Sequence, residues 1–158
     1  MTIDDIPVIA PHFRFVTTNT CDFTVGGMFM WRDYFHMAWQ VEDGVLYSTL
    51  TGEDGKLYYN LPLGEDIPAG LRQCLTRHPE RPVRFCTIPE AELPLFRALP
   101  GRVEITEEEN FADYLYSAEE MIRLSGKKFS GQRNHIHHFQ RLYPDWSFER
   151  VTEENLPE

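Results

Sequence analysis

The sequence predicts an α/β (α+β) domain, a mixed sheet that contains an antiparallel meander and carries flanking helices. Three observations predict it. Two Asp-Gly turns separate β-favouring runs between residues 37 and 61, and helical and extended periods alternate from residue 67 to 106. The third is composition: 42% apolar and 13% aromatic residues in a 158-residue chain are enough to close one core.

The opening residues show no period. From Asn19 a capped start leads into Met28, Trp31, Tyr34 and Phe35, a spacing that suits a short helix, although Gly26 and Gly27 weaken it. Residues 37–41, 45–50 and 56–61 then read as three strands. Asp43-Gly44 and Asp54-Gly55 tolerate the positive φ that tight reversals require, so the strands form an antiparallel meander. Ile67, Leu71, Cys74 and Leu75 recur at helical spacing. A strand is expected over 83–88, a helix opened by its proline over 89–99 and another strand over 102–106. Ser117-Ala-Glu-Glu120 has the spacing of a capping box, which predicts a helix from Ser117 to about Gly126. A second helix runs from Ser130 or Gly131 to Tyr143, stopped by Pro144, with a strand over 146–151 and the start of a helix over 152–158.

Composition and charge narrow the function. No apolar run approaches the ~20 residues of a membrane helix, and the acidic N-terminus lacks the features of a secretory signal, so a cytoplasmic protein is expected. Cys21, Cys74 and Cys86 are odd in number and widely spaced, which favours reduced thiols over a disulfide framework or a zinc knuckle. Net charge is -10, yet five of the 15 Lys and Arg fall in residues 123–141, a stretch without a single acid. The other ten face all 25 acids. Such a body does not coat nucleic acid, but its strip can hold one anionic group.

On the helix after Ser130, Arg133, His137 and Arg141 share a face with Asn134 beside them, while Ile136, Phe139, Leu142 and Tyr143 form an opposite apolar side expected to be buried. Lys127 and Lys128 stand just before its N-terminus, where free N–H groups already favour an anion. These six polar residues are the candidate substrate-binding set. The alternative is that the bases pair with Glu107, Glu108, Glu109, Glu119 or Glu120 on a solvated surface.

Other chemistries lack their residues. Gly126 and Gly131 frame a Gly-x-x-x-x-Gly spacing, but Gln132-Arg133 replaces the Lys and Ser or Thr of a nucleotide loop. His135, His137 and His138 contain no i,i+4 pair, so no metal is expected, and no nucleophile stands in a recognisable setting. The aromatics between Trp31 and Tyr59 read as core packing rather than a base-stacking platform.

Through Asp113-Tyr-Leu-Tyr, Leu124-Ser-Gly-Lys-Lys128, Arg133-Asn134, Ile136, Phe139 and Tyr143-Pro144, the sequence resembles a bacterial family related to the C-terminal domain of phosphatidylglycerol lysyltransferase. That family is distantly similar to the Fem aminoacyltransferases. Phe29-x-Trp31 and the order of elements agree with one half of such a protein. The resemblance implies a GNAT-like fold built of two halves, with residues 1–151 as the N-terminal half and 152–158 as the start of a linker or of the second half. It implies transfer of an acyl or aminoacyl group to an amine or hydroxyl, with acyl-CoA or aminoacyl-tRNA as donor to the intact protein. No cofactor is expected in this half, which is expected to be inactive alone and to have the second half as its partner. Arg123-x-x-Gly126-x-Lys128 departs from the acetyltransferase pyrophosphate loop at its last position, where a lysine side chain crowds the backbone approach. A scaffold that docks on a second domain, with no ligand of its own, is the alternative; RNA binding through the strip ranks last.

Overall fold

The meander forms where the Asp-Gly turns predict it. In the computed structural model, which describes residues 1–109 and 112–156, β1 (Ala38–Glu42), β2 (Val45–Thr51) and β3 (Leu57–Tyr59) pair antiparallel in sequence order. Asp43 (φ 50°) and Gly44 (φ 74°) both take the left-handed conformation, so the two-residue reversal matches the twist of its strands. Beyond Tyr59 the chain rejoins β2 through a Leu46–Leu63 bridge. The register there is offset by one residue, so the expected strand over 56–61 becomes a short strand and a bulge.

Six α-helices accompany the sheet among the described residues: α1 (Ile6–Ile9), α2 (Val25–Trp31), α3 (Ile67–Thr76), α4 (Leu93–Arg97), α5 (Ala118–Arg123) and α6 (Ser130–Leu142). Contacts divide the chain into two compact units, Met1–Asp113 and Tyr114–Glu158.

In the first unit, cross-strand register sends Val41 and Leu46 to one face of the sheet and Val45, Tyr47 and Tyr59 to the other. Leu46 packs with Ile9, Phe23, Leu61, Leu63, Leu71 and Phe96, while Tyr47 and Tyr59 pack with Cys74. Helix α3 serves both clusters. Asp66 caps it by accepting from the Ala69 N–H at 2.8 Å, and Leu71 and Cys74 are fully buried. A polar chain fixes its outer side. Tyr47 donates to Gln73 Oε1 (2.5 Å), Gln73 Nε2 donates to Glu42 (2.8 Å), and Arg77 pairs with Glu42 while its guanidinium stacks 4.1 Å from the Tyr47 ring centroid.

Several expectations are corrected. The opening is helical rather than irregular, a run of 3₁₀ and α turns from Ile3 to Phe15 that places Ile9 in the core. Residues 83–88 contribute one parallel bridge, Tyr59–Phe85, in place of a strand, because Thr87 turns left-handed (φ 52°) and Pro89 follows. Residues 102–106 and 146–151 alternate like strands but find no ladder. The sheet is therefore antiparallel among the described residues, with this single bridge as its mixed element. Residues 152–156 form a turn in which Thr152 N–H donates to Asn155 Oδ1 (2.7 Å), and Pro157 of the expected helix start lies outside the described residues.

Candidate functional site

The basic strip occupies α5, α6 and the turn between them. Ser117 caps α5 by accepting from the Glu120 N–H (3.4 Å), one half of the expected capping box. The Glu120 carboxylate turns instead to Lys128 Nζ at 2.5 Å. Helix α5 ends as Leu124 goes left-handed (φ 46°), and Gly126 (φ 84°) redirects the chain into a 3₁₀ turn at Lys127–Phe129 that runs into α6.

Arg133 ties this junction. Its Nη1 donates to the carbonyl of Leu124, the C-cap of α5 (2.5 Å), and to the Gly126 carbonyl in the turn that follows (2.8 Å). A guanidinium holding two carbonyls through a single Nη positions the turn and commits two of its five N–H donors to it. Lys128 is shared between Glu120 and the Phe129 ring, 4.9 Å from its centroid, and Arg123 pairs with Glu119 at 3.1 Å. Two bases of the strip thus pair with Glu119 and Glu120, as the solvated-surface alternative expects. Lys127, Asn134, His137 and Arg141 have no hydrogen-bond or ion-pair partner among the described residues, and all four are exposed. Asn134, His137 and Arg141 lie within one narrow arc of α6, as its period requires, and Lys127 precedes the helix N-terminus.

The opposite side of α6 departs from expectation. The spacing of Ile136, Phe139, Leu142 and Tyr143 predicts a buried face, yet no described residue of the second unit is buried. Phe139 contacts Tyr143 (5.1 Å between centroids) and Trp146 (6.1 Å), beside an apolar groove of about 350 Å³ lined by His135, Ile136, Phe139, Gln140 and Trp146. His135 lines this surface groove and is exposed.

The thiols offer no activated nucleophile. Burial pushes Cys74 up to about 12 and Cys86 up to about 11, and a hydrogen bond to the Asp113 carboxylate raises Cys21. Among the described residues no group of three His, Cys, Asp or Glu side chains converges as a metal site, and no helix is long and apolar enough to cross a membrane. A second set of bases, Lys56, His78, Arg81 and Arg84, meets around a cavity of the first unit. Sequence reading passed over it, because these residues are scattered among Asp54, Glu65, Asp66 and Glu80 and leave no local charge signal.

The family model described as "Phosphatidylglycerol lysyltransferase, C-terminal" matches residues 13–158. No curated protein matches the chain significantly. A solved structure from Bacteroides thetaiotaomicron VPI-5482, titled a conserved protein of unknown function, is similar at 29% identity with a TM-score of 0.70. The similarity covers 98% of this chain and 53% of that one, so the chain spans about half of that protein's length.

Proposed function

The chain belongs to the phosphatidylglycerol lysyltransferase C-terminal family, and from that membership we propose that it forms one GNAT-like half of a two-half acyl- or aminoacyltransferase-like protein. In this reading residues 1–151 supply the half-domain and the surface that holds an anionic part of donor or acceptor. A second GNAT-like half completes the protein, and this half alone is inactive. The intact protein would carry out attack by an amine or hydroxyl on the carbonyl of aminoacyl-tRNA or acyl-CoA. The attacking group loses its proton as the tRNA hydroxyl or the CoA thiol departs, and orientation with oxyanion stabilisation supplies most of the rate.

The observation that carries the reading is the row of unpartnered polar and basic side chains that runs along α6, from Lys127 before its N-terminus to Arg141 in its last turn. Lys127 and Arg141 bring charge, His137 and Asn134 bring hydrogen-bonding groups, and Lys128 is reachable by exchange from an exposed pair with Glu120 that is worth little. Arg133 is a positioning residue, since it acts through the turn. Replacing both lysines (Lys127→Ala with Lys128→Ala) is expected to weaken binding of aminoacyl-tRNA or acyl-CoA to the longer protein about tenfold or more, with the circular dichroism spectrum unchanged. Unchanged affinity for every anionic ligand removes the reading.

The exposed aromatic side of α6 favours a second reading, a module that docks on the other half and binds no ligand. Deleting residues 1–158 from the longer protein separates the two. An aggregated remainder supports docking, and a folded remainder that no longer binds its donor supports the anion-holding role.

A further inference from the structure

A cavity of about 310 Å³ opens in the first unit between β3 and the segment that follows α3. Apart from Tyr59, every ionisable side chain lining it is a base: Lys56, His78, Arg81 and Arg84. This concentration runs against a chain whose net charge is -10. We propose that the cavity binds the phosphate group of a small soluble molecule.

The backbone presets the bases. Tyr59 N–H donates to the Arg84 carbonyl (2.8 Å) and Cys86 N–H to the Tyr59 carbonyl (3.0 Å), so the bridge at Phe85 holds Arg84 beside β3. The β2–β3 turn delivers Lys56, and the C-terminal end of α3 leads into His78 and Arg81.

Side-chain bonds then define the donors. Tyr59 Oη lies 3.0 Å from His78 Nε2, and Arg81 Nη2 lies 3.1 Å from His78 Nδ1. A guanidinium only donates, so the Arg81 contact assigns Nδ1 the acceptor role and leaves the ring proton to Nε2. That proton goes to the Tyr59 oxygen, which leaves the phenol hydrogen available to a further acceptor. Among the described residues neither Arg81 nor Arg84 has a carboxylate partner, whereas Lys56 is shared with Asp54 at 2.6 Å. The guanidinium fork is matched to phosphate oxygens, and two forks without counter-charge at one concavity make an anion receptor. The volume sits at the low end of ligand cavities, about 300–1,000 Å³, which suits a phosphate with a small group attached.

The test uses the 158-residue chain, titrated with inorganic phosphate and with glycerol phosphate and followed by amide and imidazole NMR. Saturable shifts centred on Lys56, His78, Arg81 and Arg84 are expected. Arg81→Gln combined with Arg84→Gln should weaken binding at the cavity at least tenfold, and Lys127→Ala with Lys128→Ala should keep the midpoint of the shifts at the four cavity bases. That last arm keeps this site separate from the α6 surface. Shifts centred on residues 127–141, or no saturable response through millimolar phosphate, overturn the proposal, and the shift map of the unmutated chain decides it even if the double variant unfolds. Sedimentation with phosphatidylglycerol vesicles by a chain that ignores both soluble phosphates overturns the soluble-ligand assignment.

Discussion

Helices α3 and α6 are both amphipathic, and they meet opposite fates. In Met1–Asp113, α3 lies against the sheet and buries Leu71 and Cys74 completely. In Tyr114–Glu158, the longer α6 leaves Phe139 46% and Leu142 58% exposed. A helical period creates an apolar face but not the surface that covers it. An isolated helix of this length is marginal in water, so α6 depends on its clamped N-terminal junction and on whatever its aromatic side meets in the protein.

Four experiments can break or sharpen this contrast, and the first carries the largest expected effect. Leu71→Ala should destabilise the first unit by about 2–5 kcal/mol in urea titrations, whereas Phe139→Ala should cost under about 1 kcal/mol. Equal losses would end the comparison. Gln73→Ala should cost about 1–3 kcal/mol in the same titration, because it strands the hydroxyl of the buried Tyr47 and breaks the chain that links it to Glu42.

The cap of α5 tests the other unit. Ser117→Ala should lower local stability by about 1 kcal/mol, read as faster hydrogen exchange at Glu120 and its neighbours, with α3 unaffected. The smallest effect is a pH dependence. Bonds from the Lys56 side chain and backbone N–H, with a smaller one from Tyr58, lower the Asp54 carboxyl to about 2. A depressed folded value means that its contribution is complete above the ordinary carboxylate range near 3.8 and is lost as pH falls towards 2. An NMR titration should place the Asp54 midpoint in that window, and Lys56→Ala should move it upward.

The elements legible in the sequence are those whose signal is local. Asp43-Gly44 announces a reversal because both residues accept positive φ, and Ser130 to Leu142 reads as a helix because its period is unbroken until Pro144. Residues 102–106 and 146–151 misled for the complementary reason. Alternation describes a side-chain pattern, whereas a strand exists only where a neighbouring backbone completes its hydrogen bonds. The candidate site divides the same way. The shared arc of Asn134, His137 and Arg141 follows from 3.6-residue spacing, but the engagement of Arg133 with the Leu124 and Gly126 carbonyls, and of Lys128 with Glu120, depends on how the turn closes.

From composition and order alone came the α+β class, the antiparallel meander, the two late helices and the basic face between them. Those features rest on dihedral preference and on residues a few positions apart. The fold itself set which bases are spent and which stay available, and it brought Lys56, His78, Arg81 and Arg84 to one cavity from positions separated by acids and a helix. Convergence of that kind is a property of distances in space, and one-dimensional spacing carries no record of it.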